Sequence, residues 1–183
     1  VDAEVMTGSV LEDRGRHEEA AAAYRRALVI APGYEQVHLN LARVLFRLGQ
    51  PDAAATCCRD ALQLSPSNTD ALRFLGLAQM SLRRFEEAVS TYATVTSLAP
   101  HDFETRASLA DAQRELGLVD DARQNYERAL QNDAIPTGVR YHIAKGLYLL
   151  GHLDRAVAEY RQVLQADPRF EEGHLNLGNA LGQ

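Results

Sequence analysis

The chain has 183 residues, 46% of them hydrophobic, and a formal net charge of −6 at neutral pH. That acidic balance argues against a general affinity for nucleic acid or anionic membrane, and no apolar run reaches the roughly 18 residues of a membrane span. The two cysteines, Cys57 and Cys58, are adjacent and supply no disulfide framework, which predicts a reducing, cytoplasmic setting.

Four prolines, Pro32, Pro66, Pro100 and Pro168, stand 34 residues apart or at a multiple of 34, and Ala134 occupies the slot that proline leaves empty. A fixed period of this size marks supersecondary units that cannot bury an apolar face alone and therefore stack on their neighbours. Set out as rows 1–34, 35–68, 69–102, 103–136, 137–170 and a partial row 171–183, the sequence falls into columns of like residues. Each row opens with a predicted helix carrying a small residue: Gly8, Ala42, Gly76, Ala110, Ala144 and Gly178. Gly15, Gly49, Gly117 and Gly151 then end that helix in a left-handed conformation at least cost. Arg83 takes the glycine place in the third row, at a penalty of about 1 kcal/mol if its backbone is left-handed.

A second predicted helix follows in each full row. It carries Ala20, Ala54, Ala88, Ala122 and Ala156, and four residues later Tyr24, Cys58, Tyr92, Tyr126 and Tyr160. A third small column is Ala27, Ala61, Val95, Ala129 and Val163. Small side chains let two helix backbones approach, and a ring one turn away fills the space beside the contact. Acidic pairs at the helix starts, such as Glu18 with Glu19 and Asp120 with Asp121, complement the helix dipole and need no catalytic role. The prolines close each second helix, and Ser67, Asn68, Thr69 and Asp102 offer oxygens to cap the next one. A start at Val1 and a stop at Gln183 inside a periodic segment predict a piece of a longer polypeptide.

Leucine before a small residue, then alanine, a ring one turn on, another alanine and a closing proline: this pattern resembles the tetratricopeptide repeat over essentially the whole chain. The resemblance implies an all-α solenoid, a right-handed superhelix of stacked antiparallel helix pairs, with five full repeats and the first helix of a sixth. The chain departs from the family where an aromatic is usual near the start of the first helix; Glu4, His38, Leu72, Arg106 and Arg140 stand there instead. Cys58 is likewise foreign to the tyrosine column.

The family's function implies a protein-protein interaction scaffold that binds an extended peptide or helix on a concave face lined by first helices. First-helix residues outside the packed columns are Gln36, Leu39, Asn40, Arg43, Phe46 and Arg47, then Asp70, Arg73, Phe74, Leu77, Met80 and Ser81. Apolar Phe46, Phe74, Leu77 and Met80 flanked by Arg43, Arg47 and Arg73 fit a partner with apolar anchors and acidic residues. The fourth row offers Glu104, Asp111, Arg114 and Glu115; the fifth offers Tyr141, His142, Tyr148 and the chain's one lysine, Lys145. Family members that grip a C-terminal carboxylate use two lysines, two asparagines and an arginine; the matching positions here are Val5, Ser9, Asn40, Asp70 and Phe74, and Asn40 alone fits. Asn40 and Asn176, in HLNLA and HLNLG, resemble the asparagine-bearing repeats of O-linked N-acetylglucosamine transferases, but Phe74, Ser108 and His142 break the ladder.

Two other functions fit the same pattern. One is the substrate-recruiting arm of a larger enzyme such as an O-linked glycosyltransferase; the other is a self-assembling scaffold. Within the chain itself no chemistry is visible: the six histidines are scattered without ligand spacing, and no phosphate loop or nucleophile elbow is present. The sequence therefore predicts no catalytic residue, cofactor or metal.

Overall fold

A computed structural model of the chain describes residues 1–132 and 135–182. Among these the secondary structure is helical, and the chain divides into two compact units, Val1–Leu98 and Ala99–Gln183. Unit 1 holds α1 (Asp2–Asp13), α2 (His17–Ile30), α3 (Glu35–Arg47), α4 (Pro51–Leu64), α5 (Thr69–Ser81) and α6 (Phe85–Leu98). Unit 2 holds α7 (Phe103–Glu115), α8 (Val119–Ala129), α9 (Thr137–Leu149), α10 (Leu153–Ala166) and α11 (Glu171–Leu181). Within each unit consecutive helices pack as antiparallel pairs, the α-solenoid arrangement. The slot occupied by Ala134 lies outside the described residues.

The turn inside each pair has a local cause. Gly15, Gly49, Gly117 and Gly151 all adopt φ between 71° and 79°, and Arg83 holds the same left-handed conformation with φ 58°. The Arg83 guanidinium lies 5.3 Å from the centre of the Phe85 ring, a contact that offsets part of the backbone cost. Of the oxygens offered at helix starts, Asn68 Oδ1 accepts from the Ala71 amide and Asp102 Oδ1 from the Thr105 amide, each at 2.9 Å.

The core of the pairs is built on a ring, or in α3–α4 on a cysteine, set among small residues. Tyr24, Tyr126 and Tyr160 are fully buried, as is Cys58, and Tyr92 nearly so. A Cβ placed on Gly8 would stand 2.6 Å from Tyr24 Cε1, and one on Gly76 would collide with the Tyr92 ring. In both cases the ring of the second helix rests on the bare backbone of its own first helix. Where the first helix carries alanine, the arrangement changes. Ala42 meets the smaller Cys58 in one cluster, while Tyr126 lies against Gly146 of the following first helix. Tyr160 keeps its ring although its first helix carries Ala144, and packs in one cluster with Ala144 and Ala180.

This packing predicts that Gly76→Ala destabilises the protein by about 1–3 kcal/mol, the usual cost of overpacking. Adding Tyr92→Cys, which recreates the Ala42–Cys58 pairing, should cost less than the sum of the two single changes in urea denaturation; strict additivity would contradict the contact. Arg83→Gly should raise stability by about 0.5–1 kcal/mol, because glycine adopts the left-handed conformation freely.

Candidate interaction face

In unit 1 the structure sorts the expected lining residues by what packs against them. Leu39 is buried, 6% exposed, in a cluster with Ala61 and Ala71, so it belongs to the core and not to the lining. The physical reason is the small alanine at each of those positions, which leaves a space that Leu39 fills. Phe46 is half-buried against two core clusters and Phe74 against one of them, so both rings serve packing as well as surface. Leu77 is 40% exposed, with half-buried Met80 one turn further on. Asn40 is half-buried and accepts a 3.2 Å hydrogen bond from the Gln36 amide.

The arginines are engaged within the chain. Arg43 forks the Glu12 carboxylate through Nε at 2.7 Å and Nη2 at 2.9 Å, and Arg47 Nη1 lies 3.3 Å from the same group. The Tyr24 hydroxyl donates to it at 3.3 Å. Arg73 pairs with Asp70 on its own helix. Glu12 is buried, and burial opposes its ionisation; the Arg43 hydrogen bonds, the Arg43 and Arg47 charges and the Tyr24 hydroxyl outweigh this and hold its carboxyl below the usual range. Sequence reading by columns missed Glu12, which shares its column with Phe46 and Met80. The signal lies on a diagonal: Glu12 and Arg43 are 31 residues apart, one period less a helical turn.

Unit 2 repeats that diagonal with different chemistry. Asp111 on α7 and His142 on α9 are also 31 apart, with Asp111 Oδ2 2.6 Å from His142 Nε2. The other oxygen, Oδ1, accepts from the Tyr126 hydroxyl at 2.6 Å. Burial first, and the Asp111 carboxylate second, push the Tyr126 phenol up. The Asp111 hydrogen bond holds the His142 imidazolium above its usual range, against burial and the charges of Lys145 and Arg114. His142 also walls a cleft of about 250 Å³ between α7 and α9, with Glu104, Ala107, Ser108, Gly138 and Val139.

The other expected residues of unit 2 divide in the same way. Tyr141 is built into the framework: its ring centre is 4.8 Å from that of Phe170, and its hydroxyl accepts from Asn176 at 2.7 Å. Tyr148 packs partly against the core, whereas Lys145 is exposed. Arg140, one of the departures from the family pattern, bonds Glu159 at 2.6 Å, and Arg155 reaches the same buried carboxylate at 3.1 Å. Burial pushes the thiols up, Cys57 to about 11 and Cys58 to about 12, which makes both poor nucleophiles at neutral pH. Among the described residues no helix is long and apolar enough to cross a membrane, and no three His, Cys, Asp or Glu side chains gather as metal ligands.

Antiparallel helix pairs with in-phase small and aromatic columns define an α-helical repeat protein. Residues 8–110 match the model of the cilia and flagella-associated protein 70 middle TPR-like domain, and residues 144–183 match a TPR repeat model. The chain belongs to the tetratricopeptide repeat family.

Among its relatives is the tetratricopeptide repeat and J domain-containing co-chaperone DNJ1 of Fusarium oxysporum f. sp. lycopersici, 30% identical over 171 residues, covering 84% of this chain and 31% of that protein. The first curated relatives are likewise longer; the chain spans 14% to 29% of their length. A thermophilic TPR protein of Thermus thermophilus shares the fold with a TM-score of 0.76 at 22% identity, over 100% of this chain and 99% of that one. The first TPR of Spaghetti (RPAP3), solved bound to the HSP90 peptide SRMEEVD, is 28% identical with a TM-score of 0.61, over 63% of this chain and 91% of that one.

Arg43→Leu should cost about 1.5–3 kcal/mol at neutral pH, since it strips two hydrogen bonds from a buried carboxylate. Glu12→Gln placed on that background should recover part of the loss in urea denaturation. The sign with pH follows from the lowered Glu12 value. Its contribution is present above the ordinary carboxyl pKa of about 4.3 and disappears as pH falls through the depressed one, so wild type and Glu12→Gln should converge in acid.

Proposed function

We propose that the chain is a protein-interaction scaffold that holds an extended segment or a helix of a partner against its first helices. The observation that carries this reading is Leu77, 40% exposed on α5 beside Met80 and Phe74. An exposed aliphatic group amid partly buried apolar neighbours gives a partner's side chain something to bury against. Arg43 and Arg73 are engaged by Glu12 and Asp70, so apolar burial, not carboxylate pairing, supplies the affinity in unit 1. Asn40, Phe46 and Arg47 form the rim.

The peptide carried by the RPAP3 relative supports a peptide as the class of partner. It does not extend to an HSP90 tail, because Val5, Ser9, Asp70 and Phe74 stand where a carboxylate-holding set needs cations and amides. Panning a displayed random-peptide library on wild type tests the reading. Enriched peptides should bind Leu77→Glu at least about tenfold more weakly, the loss expected when one apolar anchor of about 1.4 kcal/mol is removed. Their amide-shift changes should map to α3 and α5. Equal binding to both proteins, or shifts confined to α2, α4 and α6, would contradict it.

A further inference from the structure

The diagonal contact in unit 2 does more than join two helices. An ionised Asp111 only accepts hydrogen bonds, and its two oxygens already receive the Tyr126 hydroxyl and His142 Nε2. That fixes the imidazole: Nε2 carries a proton in both charge states, and Nδ1 is the atom that gains or loses one. Neutral, Nδ1 presents a lone pair and repels a carboxylate; protonated, it is a charged donor. The side chain is 52% exposed, so a guest can reach the ring.

Lys145 stands three residues on, on the same face of α9. Arg114 and Asn176 stand 31 residues before and after it, one a cation and the other an amide, so the diagonal spacing brings it no carboxylate. Other charged groups stand near His142. Arg114 on α7 pairs with Glu115 at 2.6 Å, and Glu104 lies on the cleft wall. Glu159 on α10 is held by Arg140 and Arg155, and Asn176 on α11 is neutral and bonded to Tyr141.

We propose that carboxylate binding on the first-helix face of unit 2 is proton-dependent. His142 Nδ1–H and the Lys145 ammonium together take a side-chain carboxylate of an acidic partner segment, and release it when the imidazole loses its proton. The proposal rests on the first helices being the partner-binding face. The Asp111 hydrogen bond keeps the imidazolium populated to higher pH than an isolated histidine would, which brings release toward neutral pH.

Fluorescence anisotropy with a labelled hexaglutamate peptide tests this between about pH 5.5 and about pH 8.5, where glutamate stays ionised and histidine titrates. Wild type should bind about tenfold more tightly at the acid end, with a midpoint between the His142 pKa values measured by NMR on its ring proton in the free and in the hexaglutamate-saturated protein. By linkage, saturating hexaglutamate should raise that pKa. His142→Asn, which installs the residue found at Asn40 and Asn176 in the same column, should bind with no pH dependence over this range. Asp111→Asn should move the midpoint to lower pH, and Lys145→Ala should weaken binding at the acid end without moving it.

A flat profile for wild type, the same profile in His142→Asn, or no hexaglutamate binding at either pH would overturn the proposal. Library peptides that still depend on Leu77 in that event would leave the interaction-face reading standing. Loss of both would count against the face itself.

Discussion

Everything in the structure depends on how closely a first helix can approach its second. Tyrosine sets that distance by lying on a position with no Cβ, Gly8 under Tyr24 and Gly76 under Tyr92. Where an alanine occupies the column, Ala42 is matched by Cys58, the Tyr126 ring finds its gap at Gly146 on the next first helix, and Tyr160 packs in one cluster with Ala144 and Ala180. Because the contact recurs at a fixed period, it also fixes which side chains of each first helix are left over. Leu75 and Leu109 are drawn inward, while Leu77 and Lys145 remain outside.

A second constraint acts across the first helices. Glu12 with Arg43, and Asp111 with His142, each join residues one period less a turn apart, and Tyr141 with Asn176 joins residues 35 apart. These diagonals give the two units different surfaces. In unit 1 a buried carboxylate takes up two guanidinium groups, which leaves an apolar patch. In unit 2 the base is a titratable imidazole, and the residues at the same spacing from Lys145, Arg114 and Asn176, carry no carboxylate. Two units with the same backbone plan thereby expose different chemistry on their first helices.

Most of the scaffold was legible from residue type and period alone. Helix starts at Glu35, Thr69, Phe103, Thr137 and Glu171 fall where the rows begin, and the four turn glycines and Arg83 all have positive φ. These features are local: a missing Cβ, a missing amide proton or a short polar side chain acts within one turn of the chain. The face was less legible because columns compare like with like. The columns place Leu39 outside, and only the spaces beside Ala61 and Ala71 show why it turns inward. Glu12 is invisible to a column reading because its partner lies on a diagonal in another helix. The Asp111–His142 contact escapes a column reading for the same reason, although both residues belong to the expected lining.

Hydroxyl-radical footprinting read by mass spectrometry would decide whether the close helix contact sorts the first-helix side chains as described. Leu77 and Met80 should oxidise readily, while Leu39, Leu75, Tyr24 and Tyr126 stay protected until the protein unfolds. Comparable oxidation of Leu39 and Leu77 in the folded protein would mean that the small columns do not set which first-helix side chains are exposed, and the proposed interaction surface built on them would fall with that result.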